Sequence, residues 1–218
     1  MAGVRIEMGR EFLDIFEEWA STYDSSLTDN EEYQEVFHNY DYILSEVAKR
    51  SIGHVVEFGA GTGNLTLKLI EQGLKVIGIE PSLAMRKHAK DKIGPLANIM
   101  DGDFLNFEIG IQPDTFTSTY AFHHLTDQEK AEAIMRYSNL LSTGGKIVFA
   151  DTMFESKAAY YDAIQHALEK GYTNLAEDLE REHYSEIPIL ENMLLANGLS
   201  TSFKKVNDYV WIMEAVKQ

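Results

Sequence analysis

The sequence predicts an α/β fold: a doubly wound, mostly parallel sheet with helices on both faces and a C-terminal antiparallel hairpin. Strand-like and helix-like segments alternate five times between residues 53 and 152, at the spacing of crossover connections. The last two strand segments, 199–206 and 208–216, are separated by a very short turn, which permits only antiparallel pairing. The 218 residues, 44% of them hydrophobic, are enough for one sizeable core.

The first 50 residues predict two helices that precede the sheet. Residues 9–21 carry apolar side chains at helical spacing. Residues 28–31, with the sequence Thr-Asp-Asn-Glu, supply capping residues for a second helix that runs to Arg50. We therefore assign residues 1–50 as a helical N-terminal cap.

The central segment, residues 53–152, supplies the parallel strands and their crossover helices. The predicted strands are 54–58, 75–80, 97–101, 115–120 and 146–152, and the predicted helices are 64–72, 82–93 and 127–141. Residues 153–197 predict a helical insert with breaks at Gly171 and Pro188, and residues 198–218 form the terminal hairpin. With neither repeats nor linkers in the sequence, we expect residues 1–218 to form a single domain.

Composition excludes several classes of function. The 19 basic and 35 acidic residues give a net charge of −16, and an acidic surface repels phosphate backbones, so we expect no nucleic-acid partner. The sequence has no cysteine, which excludes disulfides and thiolate chemistry. It shows neither a signal peptide nor a membrane-spanning apolar run, so we expect a cytoplasmic protein with no membrane partner. The oligomeric state stays open.

A glycine loop follows the first predicted strand, where open α/β sheets bind their ligands. Glycines at 59, 61 and 63 allow a ligand to lie close to the backbone. Glu80 ends the second strand, where its carboxylate can accept both hydroxyls of an adenosine ribose. Asp103 follows the third strand and is placed to accept from an adenine amine, and we expect Phe104 to pack on that ring. This set predicts an adenosine-containing ligand.

Two details favour S-adenosylmethionine over NAD. The dinucleotide motif G-x-G-x-x-G would place its third glycine at Asn64, whereas this chain has G-x-G-x-G. Glu57 lies directly before the loop, and a carboxylate there suits an ammonium and a sulfonium better than a pyrophosphate. An NAD-dependent oxidoreductase and a non-catalytic module that binds S-adenosylmethionine remain the alternatives.

Five segments resemble the successive motifs of class I methyltransferases across about residues 53–152: VVEFGAGTGN, VIGIEPS, GDF, STYAFHHL and LLSTGGKIVFAD. The opening GREFLDIFEEWASTYDS and the ending YVWIMEAVKQ are similar to the small bacterial YrrT-type methyltransferases. The resemblance implies a Rossmann-like, seven-stranded sheet with a reversed final hairpin. It also implies S-adenosylmethionine as cofactor, with residues 53–152 as the cofactor-binding core. Its implied contacts are Gly59, Glu80 and Asp103, and we add Tyr23, Ala60, Pro81, Phe104 and Tyr120 as further candidates.

Catalysis by such an enzyme depends mainly on in-line positioning and exclusion of water, since the sulfonium already activates the methyl group. His123 and His124 follow the fourth strand at the substrate edge, and either is a candidate general base if the acceptor must lose a proton. A purely structural role in their loop is the alternative. We expect no metal site, because adjacent histidines do not easily share one ion and no acidic residue joins them at helical ligand spacing. His166 and His183 are expected to face solvent.

The acceptor is the least determined part of the prediction. The cap and the insert are the segments expected to cover the substrate, and the insert is rich in tyrosine. Its tyrosines are Tyr160, Tyr161, Tyr172 and Tyr184. Such side chains suit a small, partly apolar acceptor. We therefore predict a methyltransferase that acts on a small molecule.

Overall fold

The computed structural model describes residues 30–218, which form a single seven-stranded sheet with the strand order β3-β2-β1-β4-β5-β7-β6. The strands are β1 (His54–Phe58), β2 (Lys75–Ile79), β3 (Asn98–Met100), β4 (Thr115–Thr119), β5 (Lys146–Thr152), β6 (Leu199–Lys205) and β7 (Val210–Lys217). The first five strands are parallel, whereas β7 pairs antiparallel with both β5 and β6. The predicted fold class is confirmed.

Seven α-helices accompany the sheet within residues 30–218. They are α1 (Tyr40–Arg50), α2 (Asn64–Glu71), α3 (Leu83–Ile93), α4 (Asp127–Leu140), α5 (Lys157–Glu169), α6 (Thr173–Arg181) and α7 (Ile187–Ala196). Helices α1, α2, α5 and α6 bury apolar side chains on one face of the sheet, and α4 and α7 bury theirs on the other. Across this part of the chain, none of the helices has the length and apolar character needed to cross a membrane.

The order of the strands determines where a ligand binds. Strand β1 pairs in parallel with β2 on one side and with β4 on the other, so the sheet reverses its winding direction between β1 and β4. At the carboxyl end, Phe58 lies opposite both Ile79 and Ser118. The loops that follow β1, β2, β4 and β5 therefore meet at one edge, at the switch point of the sheet.

The helices at the two ends of the chain differ from the predicted ones. The predicted helix from residue 28 to Arg50 is wrong in its first part: Asn30 caps only a short 3-10 helix, Glu31–Tyr33, and α1 begins at Tyr40. Asn39 lies at a φ of 65°, a left-handed conformation that ends any regular helix before it. In the insert, Gly171 separates α5 from α6 as predicted. Pro188 instead lies in the first turn of α7, where a proline is tolerated.

The segment from Asn30 to Asn39 is attached to the helical insert. The Glu32 carboxylate accepts hydrogen bonds from the backbone N–H groups of Asn174 (2.9 Å) and Leu175 (3.3 Å) in the first turn of α6. The Tyr33 hydroxyl donates to Asp178 in the same helix. These contacts join the N-terminal segment and the insert into one layer.

Candidate active site

The three glycines in the loop after β1 differ in what a side chain at each position would contact. A Cβ on Gly59 would lie 2.7 Å from the Cβ of Ala121, and one on Gly63 would lie 2.5 Å from Cδ1 of Ile93. A Cβ on Gly61 would meet nothing closer than the Gly59 carbonyl oxygen at 3.9 Å, although its φ is +54°. Packing therefore accounts for Gly59 and Gly63, whereas the space above Gly61 is open to a ligand.

Glu80 follows β2 directly and its carboxylate lies against the glycine loop. The residue is only 5% exposed. Its Oε2 accepts from the Gly61 N–H at 2.8 Å, and its Oε1 accepts from the Ser82 N–H at 2.8 Å. Burial raises the pKa of this carboxyl, while the two backbone donors act in the opposite direction. Each oxygen keeps capacity for one further donor, which matches the two adjacent hydroxyls of a ribose.

Glu57 lies beneath the loop rather than at its surface. It is 1% exposed and accepts a 2.6 Å hydrogen bond from the Thr66 hydroxyl in α2. Burial raises the pKa of its carboxyl to about 8, with a further contribution from the charge of Glu80. The contact with a ligand ammonium stays a prediction. In this structure the carboxyl joins β1 to α2.

The loop after β3 places its two candidate residues differently. Oδ1 of Asp103 accepts from the backbone N–H groups of Leu105 and Asn106 at 2.9 and 2.7 Å, so this carboxylate organises its own loop. Phe104 is 8% exposed and its ring stacks at 5.1 Å on Phe58 in the core. The contact of this ring with adenine stays a prediction. The adenine contact of Asp103 stays a prediction.

The remaining cofactor candidates lie on the surrounding loops. Ala60 packs into a small cluster with α3, and the carbonyl of Pro81 accepts from Arg86 at 2.8 Å. Tyr120 follows β4 with a φ of 54°, an uncommon conformation for a tyrosine, and its ring lies 5.1 Å from that of Phe37. This contact brings the N-terminal segment to the carboxyl edge of the sheet. Tyr23 lies outside the described residues.

His123 and His124 belong to a 3-10 helix, Phe122–His124, that follows Tyr120. Nδ1 of His123 lies 2.7 Å from Oδ1 of Asp151, and the His123 N–H donates to Oδ2 of the same carboxylate at 3.0 Å. Nδ1 of His124 lies 3.1 Å from Oε2 of Glu182 at the end of α6. Each histidine is therefore paired with its own carboxylate.

A possible metal-binding group also involves these side chains. Ligand atoms of His123, His124 and Glu182 lie within 4.8 Å of one another. The sequence-based expectation considered only acidic residues at helical ligand spacing, whereas Glu182 lies 58 residues from His124 and comes from the insert. Both Nδ1 atoms already face carboxylates, so hydrogen-bonded pairs account for the arrangement without an ion. The absence of a metal stays a prediction. As expected, His166 and His183 are exposed.

Sequence reasoning missed the buried partners of this site. Asp151 lies in β5 and is almost fully buried. Lys130 in α4 donates to the His183 carbonyl and to Ser185 Oγ, the latter at 2.7 Å, and so holds the insert loop that carries Glu182. Burial lowers the pKa of this lysine to about 8. The position of Asp151 near a strand end is a visible signal, whereas nothing local marks Glu182.

Known methyltransferases are similar to this chain over nearly its whole length. A family model described as a methyltransferase domain matches residues 55–145. The chain is 55% identical over 213 residues to an uncharacterized methyltransferase of Geobacillus thermodenitrificans, covering 97% of this chain and 99% of the relative. It is 52% identical over 213 residues to the uncharacterized methyltransferase YrrT of Bacillus subtilis, covering 97% and 100%. The chain belongs to the YrrT-type methyltransferases.

Solved methyltransferase structures share the fold of this family member. The magnesium protoporphyrin IX methyltransferase of Synechocystis with bound S-adenosylmethionine aligns with a TM-score of 0.72 at 17% identity, covering 99% of this chain and 100% of that one. A possible histamine N-methyltransferase of Thermotoga maritima aligns with a TM-score of 0.65 at 17% identity, covering 95% and 100%. The chain is a class I methyltransferase, and its cofactor is S-adenosylmethionine. The open space at Gly61 and the two available oxygens of Glu80 fit that cofactor.

Proposed function

We propose that this methyltransferase acts on a small molecule, which binds at the carboxyl ends of β4 and β5 and is covered by the N-terminal segment and the insert. The observation that carries the proposal is the contact between the glycine loop after β1 and the segment that follows β4. Gly59 packs directly against Ala121, and His123 follows two residues later. The cofactor loop and the candidate catalytic residues thus belong to one packed unit.

The aromatic side chains that the N-terminal segment and the insert place over the site support the proposal of a small acceptor. The Phe37 and Tyr40 rings lie 5.1 and 5.6 Å from Tyr120, and the Tyr184 ring lies 5.2 Å from His123. Aromatic side chains therefore border the edge from two directions, and such a layer excludes water from methyl transfer. A net charge of −16 also disfavours nucleic acid as acceptor.

The roles of the chain's own residues follow from this arrangement. Glu80 and the glycine loop would hold the cofactor, which supplies a methyl group already activated by its sulfonium. The Tyr120–His124 segment positions the acceptor in line with that group. No residue needs to form a covalent bond with the acceptor.

The size class of the acceptor is testable directly. The protein is incubated with methyl-labelled S-adenosylmethionine and either the low-molecular-mass filtrate or the macromolecular fraction of a bacterial extract. We expect label to move into the filtrate components. Label that moves only into protein or RNA would contradict the proposal. Tight cofactor binding without any transfer would favour a sensor module, and tight NAD binding without a response to S-adenosylhomocysteine would favour an oxidoreductase.

A further inference from the structure

We propose that His123 is the general base of the reaction and Asp151 its positioning residue, and that the acceptor carries a proton on the atom that is methylated. This inference rests on the proposed function and narrows its substrate class. It assigns the role of base to His123 and not to His124, two residues that the sequence alone does not distinguish. It also excludes acceptors, such as thioethers, whose attacking atom has no proton to lose.

Asp151 holds His123 at two points. One carboxylate oxygen faces Nδ1 at 2.7 Å, and the other accepts the His123 backbone N–H at 3.0 Å. The Thr152 N–H donates to Oδ1 of Asp151 at 2.7 Å and fixes the carboxylate itself. A side chain and a backbone that are both bound to one buried group cannot rotate independently, so the ring orientation is set.

The contact with Asp151 also determines which ring nitrogen of His123 carries the proton. The positive charge of His123 and hydrogen bonds from His123 and Thr152 outweigh burial and lower the pKa of Asp151, so its carboxyl is ionised at neutral pH. An ionised carboxylate only accepts hydrogen bonds, so the proton of a neutral His123 ring lies on Nδ1. The lone pair then lies on Nε2. Within residues 30–218 no hydrogen bond to Nε2 is present, and the side chain keeps 14% exposure.

Neighbouring charges distinguish His123 from His124. Burial lowers the pKa of His123, but the Asp151 carboxylate outweighs burial and the net pKa lies above the ordinary 6.5. Glu182 on α6 acts in the same direction as Asp151, Lys130 on α4 acts against it, and the Tyr184 ring packs on the imidazole. For His124, burial and the charge of His123 lower the pKa below 6.5. His123 is thus the stronger base of the two.

The proposed step balances as follows. The lone pair of the acceptor's oxygen, sulfur or nitrogen forms the new bond to the methyl carbon, and the pair of the broken carbon–sulfur bond stays on the sulfur. The acceptor's proton moves to Nε2 of His123. The positive charge of the sulfonium therefore ends on the imidazolium, where the buried Asp151 carboxylate stabilises it. The imidazolium then returns its proton to water.

This step implies a hydroxyl, a thiol or a neutral primary or secondary amine on the acceptor. Hydroxyls and thiols are poor nucleophiles until a proton leaves, and a methylated amine must lose a proton to become neutral, so a base with a raised pKa accelerates their methylation. A thioether or a tertiary amine would gain nothing from His123. The structure therefore favours protic acceptors as a class.

Two readouts test the inference, and the first needs no bound ligand or turnover. Nitrogen-detected histidine NMR of the wild-type protein should show the Nδ1–H tautomer for His123 and a pKa above 6.5. Asp151→Asn should lower that pKa and change the tautomer, because an uncharged amide no longer requires a donor at Nδ1. His166→Gln, on the exposed face of α5, is the matched control and should leave the His123 signals unchanged. An unperturbed His123 signal in Asp151→Asn would overturn the dyad.

The second readout is methyl transfer to a panel of small phenols, thiols, amines and thioethers. We expect transfer to one protic class, and a loss of about 10²–10⁴-fold in kcat for His123→Gln with unchanged affinity for S-adenosylhomocysteine. The residual rate of that variant should rise with pH as the acceptor ionises, whereas the wild-type rate should level off once His123 is neutral. Transfer to thioethers, full activity of His123→Gln, or loss of activity in a chelator would overturn the inference while the proposed function stands. Absence of transfer to any small molecule would instead refute the proposed function.

Discussion

The buried carboxyl of Glu57 predicts that one residue makes the free energy of unfolding depend on pH. Its carboxyl is buried, and its pKa rises from the ordinary 4.5 to about 8 on folding. The folded protein therefore keeps a proton that the unfolded chain releases, so the contribution of Glu57 to the free energy of unfolding falls as the pH rises from 4.5 to 8. At about 1.36 kcal/mol per pH unit, this gap corresponds to roughly 5 kcal/mol as an upper limit.

The substitution Glu57→Gln removes the titration and keeps an oxygen that can accept the Thr66 hydroxyl. Any cost of the buried amide is independent of pH, so the informative quantity is the difference in unfolding free energy between variant and wild type. We expect this difference to move in favour of the variant by at least ~2 kcal/mol between about pH 5.5 and 8, measured by urea unfolding with circular dichroism.

Glu46→Gln is the matched control. Hydrogen bonds from Arg50 and Lys204 lower the pKa of Glu46 to about 2, so it is ionised in the folded protein throughout this range. Its difference from wild type should stay nearly constant with pH. Parallel pH profiles for Glu57→Gln and wild type would refute the assignment of Glu57 as a buried, protonated group.

Three further substitutions separate ligand binding from packing. Gly61→Val should abolish S-adenosylhomocysteine binding in calorimetry, because its side chain enters the space left for the ligand; retained affinity would mean that the ligand lies elsewhere. Gly63→Ala should cost about 1–3 kcal/mol in urea unfolding, because its Cβ meets Ile93 at a φ of +90°, and an unchanged midpoint would contradict the close packing. Phe104→Leu should lower stability by about 1–2 kcal/mol, because the ring stacks on Phe58 in the core, and an unchanged unfolding midpoint would contradict that packing; a selective loss of cofactor affinity would indicate a contact with adenine.

The sequence predicted the sheet well because its signals are local. Apolar runs bounded by glycine and polar turns identified all seven strands. The bounds of β1 and β5 match the prediction, and those of the other five strands differ by one or two residues. The helix predicted from residue 28 failed because capping residues indicate where a helix starts, not whether it continues. The left-handed conformation of Asn39, which separates the 3-10 helix from α1, is not revealed by the periodicity of the sequence.

The sequence indicates the site residues that follow strand ends. It does not indicate those brought in from distant segments of the chain. Glu80 was identifiable because an acid after β2 must lie beside the loop after β1. Asp151 obeys the same logic in β5, and its pairing with His123 could have been inferred from the neighbouring strands. Glu182 reaches His124 from α6, 58 residues away, through contacts such as that of Lys130 with Ser185. No periodicity or spacing encodes that contact.

The central claim is that Glu80 holds the ribose of the cofactor, and a comparison of two ligands tests it most directly. Calorimetry would measure the affinity of the wild type and of Glu80→Ala for S-adenosylhomocysteine and for its analogue without ribose hydroxyls, with the exposed Glu71→Ala as control. Two charge-assisted hydrogen bonds contribute about 3 kcal/mol or more, so the wild type and the control should prefer the natural ligand by about 100-fold. Glu80→Ala should bind both ligands almost equally. If Glu80→Ala keeps the full preference for the hydroxylated ligand, Glu80 does not hold the ribose and the proposed site is wrong.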